Sequence, residues 1–414
     1  MPNIKLSVAA CFEDGFLDGL SGSAVTELFG KLPSDPVGGG RASFMLSPLS
    51  ARKLKEYIEA AGKKGIGFNY LLNPACMDNT EYTRKGQKAL RAAIDFVESV
   101  GAGSVTIALP SILPIIKKHN PALKVRVGVY ARVDCVSKAK FWEDMGADCI
   151  TLESISVNRN FSLLAAIRKA VKIELQLIAN SNCLMFCPLS GQHMVNLSHA
   201  SQKGHGSGGF LIDWCALRCS YMKLVEPVNY LRSEFIRPED LGQYQILGYN
   251  NFKILERGAP AAAMLRRIRA YGEGGFDGNL LDLIQPYGYK EKRPGGLKDA
   301  AHFWKYFLRP GSVRLAGLMR IRRLAVNRGL LGAQEGEPVY IDNGKLDGFL
   351  AGFRDKDCRA SDCLECGHCE SYRRRAVAVD EGFRSRMLKE YEEVFRDMDS
   401  GRTWMRRRVR VSRS

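Results

Sequence analysis

The sequence predicts an α/β protein built on a (β/α)8 barrel of the TIM type. Across the first 290 of its 414 residues, eight short apolar runs alternate with helical stretches. Several of those runs are apolar throughout, as strands covered on both faces are. The first run leads into "ACFEDGFLDGLSG", a poor match to the Gly-rich phosphate loop that an open doubly wound sheet places there.

The strands read, in order, as IKLSVAA (4–10), AVTELF (24–29), GIGFNYLL (65–72), SVTIAL (104–109), KVRVGVYA (124–131), CITLE (149–153), IELQLIA (173–179) and FKILER (252–257). Amphipathic helices lie between most of them, including SARKLKEYIEAAGKK (50–64), KGQKALRAAIDFVESVG (85–101) and FSLLAAIRKAV (161–171). A barrel draws its functional groups from the C-terminal ends of its strands. That rule points to Asn73 after the third strand, Arg132 after the fifth, Glu153 ending the sixth, Asn180 after the seventh and Arg257 ending the eighth. Any one of these also suits an ordinary loop hydrogen bond; together they line one end of the barrel.

Between the seventh and eighth strands the chain takes roughly seventy residues, where about 2 to 6 are usual. This excursion holds Cys183, Cys187, Cys215 and Cys219, three of the six histidines (His193, His199, His205) and the Gly-rich KGHGSGGF. Long loops at the catalytic end of a barrel carry function. The expected organisation is a barrel over 1–290 with a cluster-binding loop at 180–235, a linker and basic helical segment over 291–355, and a small cysteine domain with a basic tail over 356–414.

Lys and Arg number 61 against 44 Asp and Glu, a formal net charge of +17. Such an excess favours anionic partners, and the tail WMRRRVRVSRS suits an RNA or an acidic peptide. No run approaches the ~20 apolar residues of a membrane span, and the first residues show no basic leader with a long apolar core. The reading is a soluble, cytosolic protein, where thiols stay reduced, so twelve cysteines favour metal or redox chemistry over disulfides.

The cysteines fall into two sets. Cys358, Cys363, Cys366 and Cys369 have the spacing C-x4-C-x2-C-x2-C. A compact C-x2-C-x2-C run wraps one face of a [4Fe–4S] cubane, with a further Cys closing the fourth corner; zinc, which prefers two knuckles separated by a longer loop, is the alternative here. Cys183, Cys187, Cys215 and Cys219 read C-x3-C-x27-C-x3-C. Two matched pairs can give four thiolates to one cluster or one zinc. A Cys187 nucleophile with His193 or His199 as base would leave three thiols unexplained. Cys11, Cys76, Cys135 and Cys149 show no pairing and are assigned to packing.

The segments IELQLIANSNC, CALRC, LRSEFIRPEDLGQY and FKILERG resemble the collagenase-like peptidase U-32 family, over roughly residues 1 to 285. The resemblance implies a (β/α)8 core with Cys183, Cys187, Cys215 and Cys219 ligating a [4Fe–4S] cluster at the barrel mouth. With the C-terminal set, two clusters are expected. Better understood relatives take part in oxygen-independent hydroxylation of ubiquinone precursors or of tRNA or rRNA bases, several with prephenate as oxygen donor. Where that family has EVFVHGALC, this chain has LQLIANSNC, so the donor and the substrate are the parts the resemblance leaves open.

The implied activity is an iron–sulfur oxidoreductase or hydroxylase. A peptidase-like hydrolase and a non-catalytic partner subunit relaying electrons are the rival readings. The hydrolase lacks both H-E-x-x-H and G-x-S-x-G. Asn73, Arg132, Glu153, Arg237 and Arg257 are the candidate substrate-positioning groups, because a guanidinium fork binds a carboxylate at two points. Arg41 in GGGRAS is a further candidate, its glycines allowing close backbone approach.

Overall fold

The computed structural model describes residues 4–284, 313–327 and 336–404. The expected linker GYKEKRPGG and the basic tail 405–414 lie outside the described residues. Eight strands, β1 (Lys5–Ala9), β2 (Val25–Gly30), β3 (Gly67–Leu72), β4 (Ser104–Ile107), β5 (Lys124–Val127), β6 (Cys149–Thr151), β7 (Glu174–Ile178) and β8 (Asn251–Ile254), close into a barrel in chain order. Every pairing is parallel, including the β8–β1 closure that sets Lys5 opposite Asn251 and Ser7 opposite Lys253. The TIM-type expectation holds.

Strand ends differ from the reading in an informative way. The run 124–131 stops pairing at Val127, because Val129–Ala131 winds into a 3-10 turn and Arg132 follows with φ 54°. Likewise β8 stops at Ile254, so Glu256 and Arg257 stand in the loop above the barrel. Between the strands lie α1 (Ala51–Lys63), α2 (Arg84–Ser99), α3 (Ile112–His119), α4 (Val136–Asp144), α5 (Ser154–Val157) and α6 (Phe161–Ala170). Their starts follow capping chemistry: Ser50, Thr83 and Asn160 each accept a backbone N–H of the first turn, from Lys53, Gly86 and Leu163.

The barrel interior departs from the apolar filling usual in this fold. Ser7 donates to Glu27 at 2.7 Å, Asn69 to Ser104 at 2.8 Å, and Thr106 to Asn69 at 2.5 Å. Along neighbouring strands, Thr151 donates to Gln176 and Gln176 to Asn251. Arg126 pairs with Glu27. Burial alone would raise the Glu27 carboxyl, but the Arg126 charge and hydrogen bond outweigh it and hold it below the usual range. Lys253 stands between this network and the mouth, its ammonium 4.1 Å from the Phe29 ring centroid. Desolvation, reinforced by Arg126, lowers its pKa to about 7.

The unfolded chain protonates Lys253 below about pH 10.4, and the folded chain only below about 7. In that interval unfolding takes up a proton, so this residue's penalty on stability is full below pH 7 and fades as pH rises. Lys253→Met is therefore expected to gain stability over the parent at pH 6, with the gain shrinking by roughly 1.4 kcal/mol per unit between pH 7 and 9. Urea midpoints at several pH values check this; a pH-independent difference would contradict it.

The β7–β8 excursion carries α7 (Ser190–His199), α8 (Trp214–Val225) and α9 (Leu241–Gln245), and α10 (Ala261–Glu273) follows β8. Beyond the barrel come α11 (Leu315–Asn327), β9 (Val339–Ile341), α12 (Cys363–Cys366), α13 (His368–Ala376), β10 (Val377–Val379) and α14 (Glu381–Asp399). β9 and β10 pair antiparallel. Val339, Ile341, Leu346, Phe349, Leu350 and Phe353 belong to the same apolar core as the barrel. A second, smaller core joins Leu217 and Leu224 of α8 to Leu324 of α11 and to Met387, Tyr391, Val394 and Met398 of α14. The C-terminal helix thus braces the helix that carries Cys215 and Cys219. Among the described residues, no helix is long and apolar enough to cross a membrane.

Candidate metal centre at the barrel mouth

Cys183 and Cys187 follow β7 directly, and Cys215 and Cys219 lie one turn apart on α8, whose first turn is fixed by Asp213 accepting the Ala216 N–H at 2.9 Å. An i, i+4 pair projects from one helix face. The Cys183 stretch is held by an antiparallel bridge, Leu184 opposite Ser233, with Glu234 N–H donating to Cys183 O and Met185 N–H to Arg232 O, both at 3.0 Å. Folding thereby brings together two pairs separated by 27 residues. The thiols feel one another electrostatically: Cys219 acts on Cys183, Cys187 and Cys215, and Cys187 acts on Cys215.

Among the described residues, no three Cys, His, Asp or Glu side chains converge closely enough to hold a single metal ion. Burial raises three of the thiols, Cys183 well above its usual range and Cys215 to about 11, with Glu234 adding to the rise at Cys183. Cys183 is exposed as a residue, yet the protein around its sulfur desolvates it. Beside it, both amide atoms of Asn182 are buried without a hydrogen-bond partner, and Lys223 donates to Asn182 O. The orphaned Asn182 amide beside the thiols suits a bound group that would pair with it.

Above the barrel interior the mouth carries Lys31, Arg41 and Arg257, of which Lys31 and Arg41 are paired with carboxylates. Lys31 and Asp35 form a buried pair at 2.7 Å, and Tyr70 donates to Asp35 at 3.2 Å. Arg41 pairs with Glu256 at 2.8 Å. Arg257 is brought to about 10 by desolvation and by Arg41. Tyr130 lies within electrostatic reach of Arg41, Arg257 and Cys183, and burial raises its hydroxyl. The glycines before Arg41 pack closely on neighbouring side chains. A Cβ on Gly39 would meet Asn73 Oδ1 at 2.9 Å, and one on Gly40 the Tyr130 ring at 3.2 Å. Asn73 Oδ1 is buried with no partner.

Among the described residues, the non-glycine residues with positive φ are Asp78, Asn79, Arg132, Phe186 and Glu256. All five stand in loops after the strands, and Glu256 has φ 105°. Such strain gathers where a loop shapes a site.

Of the candidates read from the sequence, Asn73 and Arg257 face this mouth. Arg132 and Glu153 pair with each other at 2.7 Å, the carboxylate fully buried and also accepting from Ser156 at 2.5 Å. Arg237 is placed differently from the substrate-positioning role. Its guanidinium is buried against Asp240, Asn343 O and Asp347, tying the β7–β8 excursion to the segment before Cys358. Asn180 is similarly committed, exchanging bonds with the Leu255 backbone at 2.6 and 3.2 Å. Lys31, Asp35, Tyr70 and Tyr130 were missed by the strand-end rule. The inward alternation of Glu27, Phe29 and Lys31 in VTELFGK was the available signal.

The C-terminal set is packed on the barrel. Cys358 feels Cys363 and Cys366, and Cys369 feels Cys358 and Cys363. Burial raises Cys358 and Cys369, whereas the His368 N–H and Lys356 lower Cys366. Arg159, on the loop after β6, points at this set. It is buried among Phe235, Phe349 and Phe353 at 4.7 to 4.8 Å. Its Nη1 donates to Leu231 O at 2.6 Å, but Nε and Nη2 have no partner. His368 is a structural element here, stacked on Phe349 and bonded to its carbonyl at 2.9 Å.

The fold and these thiols define the class, a parallel βα-barrel protein with a cysteine site built on its β7–β8 connection. The profile of peptidase family U32 matches residues 41–224. A Methanocaldococcus jannaschii protein named "Uncharacterized protease MJ1657" is 31% identical over 275 residues, covering 65% of this chain and 80% of that one. The chain belongs to peptidase family U32. Among solved structures, the U32 peptidase Mk0906 aligns with 19% identity and a TM-score of 0.47, over 62% of this chain and 94% of that one.

Proposed function

We propose that the chain is an iron–sulfur enzyme, an oxidoreductase of the oxygen-independent hydroxylase kind, acting on an anionic or carboxylate-bearing substrate at the barrel mouth. The carrying observation is the assembly of Cys183, Cys187, Cys215 and Cys219 beside a mouth that holds Arg257 together with the Lys31–Asp35 and Arg41–Glu256 pairs. Four thiols in two matched pairs supply the four ligands that a [4Fe–4S] cluster takes. The cluster, when bound, would supply one-electron redox chemistry or a site for an oxygen-bearing ligand. The protein's own residues do the rest. Arg41 and Arg257 attract and orient a carboxylate. Glu256 holds Arg41 in place, and the Lys31–Asp35–Tyr70 set fixes the floor. Tyr130 offers a hydroxyl between the arginines and Cys183.

Arg41→Ala is expected to raise the KM or Kd of a carboxylate ligand by about 10-fold or more, the loss of one charge-assisted pair, with iron content unchanged. Anaerobic binding titrations and iron analysis check both halves. A hydroxylase acting on RNA also predicts a nucleoside one oxygen lighter in cells lacking the gene, found by mass spectrometry and restored by complementation. RNA binding that weakens steeply with salt and is lost on deleting 405–414 would place the nucleic acid on the tail.

The name of the relative favours a second reading, peptide hydrolysis. His193 and Asp213 do form a pair at 2.8 Å. Cys187, however, is raised by burial, the opposite of an activated nucleophile. Peptide cleavage that persists after iron removal would support hydrolysis and defeat the redox reading.

A further inference from the structure

Among the described residues the buried lysines are Lys31, Lys223 and Lys253. Lys31 is paired with Asp35 at 2.7 Å, and Lys223 donates to Asn182 O. Lys253 is held differently. Among the described residues its ammonium makes no ion pair and no hydrogen bond, and it lies 4.1 Å from the centroid of the Phe29 ring. The carboxylate nearest in the barrel interior, Glu27, is already taken by Arg126.

The strand pattern places this amine at the floor of the mouth. Asn251, the next-but-one residue before it on β8, accepts from Gln176 inside the barrel, so strand alternation turns Lys253 inward as well. Phe29 follows Glu27 by the same step on β2, which sets the ammonium on the mouth side of the Glu27–Arg126 pair. The next inward positions on β1 and β5 are Ala9 and Gly128, so neither strand sends a long side chain over it. Arg257 stands in the loop that follows β8 and acts on the Lys253 charge. An ammonium buried without a counter-ion costs stability, and an apolar side chain would fill the same place. What the lysine adds is a desolvated amine, whose pKa of about 7 leaves the neutral, nucleophilic form abundant at neutral pH.

Resting on the reading that the mouth takes a carboxylate-bearing substrate, but not on the cluster, we propose that Lys253 is a covalent site for a 2-oxo acid, its Nζ forming an imine with the ketone carbon while Arg257 holds the carboxylate. The amine lone pair makes the C–N bond and the C–O bond of the carbonyl breaks. The oxygen leaves as water, carrying both protons of the neutral amine. No electron is gained or lost, and no further reactant is needed.

The test incubates anaerobically purified full-length protein with pyruvate and sodium cyanoborohydride, which reduces an imine to a stable secondary amine. Peptide mass spectrometry then locates the adduct. A single adduct on the peptide carrying Lys253 is expected, and none there in Lys253→Met, a variant expected to fold at least as stably as the parent. Acetone, which lacks the carboxylate, should label Lys253 about 10-fold more slowly, the loss of one charge-assisted pair. Labelling spread over exposed lysines with no excess at Lys253 would overturn the imine. Calorimetric titration of the parent with pyruvate separates the two failures: binding without an adduct leaves the carboxylate reading standing, and no binding defeats both. Equal labelling by acetone and pyruvate would overturn the assignment to an acid. The measurement on the parent needs no variant to fold.

Discussion

Arg126→Met is expected to destabilise the folded chain by about 3–5 kcal/mol, because it leaves the Glu27 carboxylate buried without its cation. Glu27 also accepts from Ser7 and Ser104, but two hydroxyls do not replace a guanidinium in the centre of a barrel. The sign has a pH signature. Arg126 holds Glu27 below its usual carboxylate range, so the pair's contribution is present above the unfolded pKa and fades as acid protonates the carboxyl. The variant should therefore be worst at neutral pH and approach the parent as pH falls through the folded pKa. Glu27→Gln in the same background should recover much of the loss, since it removes the unpaired charge. Chemical denaturation of the three proteins at pH 7.5 and at a series of pH values below the ordinary carboxylate value of 4.5 measures all of this. A loss under about 1 kcal/mol would mean the interior tolerates the charge unaided.

Cys215→Ala should remove one cluster and leave the other, taking iron from about eight to about four per chain and abolishing turnover. Cys215 is the most buried thiol of its set and lies on α8, whose apolar face is held by α14. The helix should stay in place when the thiol goes, so loss of iron without loss of helical content is the expected pattern. Cys149→Ala is the control. That thiol lies in the barrel interior beside Arg126 at 3.4 Å, away from both sets, and its removal should leave iron unchanged. If Cys215→Ala keeps the full iron content, the ligand assignment is wrong.

Much of the architecture was legible in the chain. Alternating apolar runs and capped helices gave all eight strands in order, because each element is specified locally by periodicity and by residues such as Ser50 and Thr83. The thiol sets were legible from spacing, since C-x3-C on a helix and C-x2-C in a turn are local geometries. What escaped was set by packing between distant segments. Nothing near Arg237 in the chain announces that its partners include Asn343 and Asp347. Arg159 and Arg232 gain their meaning only when the C-terminal turn settles against the barrel. Asn180 looked like a substrate group because it follows a strand, yet its amide bonds the Leu255 backbone. The polar lumen was half visible: period-two polar positions in VTELFGK and KVRV were outweighed in the reading by their apolar neighbours.

The central claim is that the eight thiols of Cys183, Cys187, Cys215, Cys219, Cys358, Cys363, Cys366 and Cys369 hold iron–sulfur clusters. Anaerobic purification followed by iron, sulfide and zinc quantification tests it most directly. Two cubanes require about eight irons with matching sulfide per chain and an EPR signal on reduction. Stoichiometric zinc with no iron would contradict the claim.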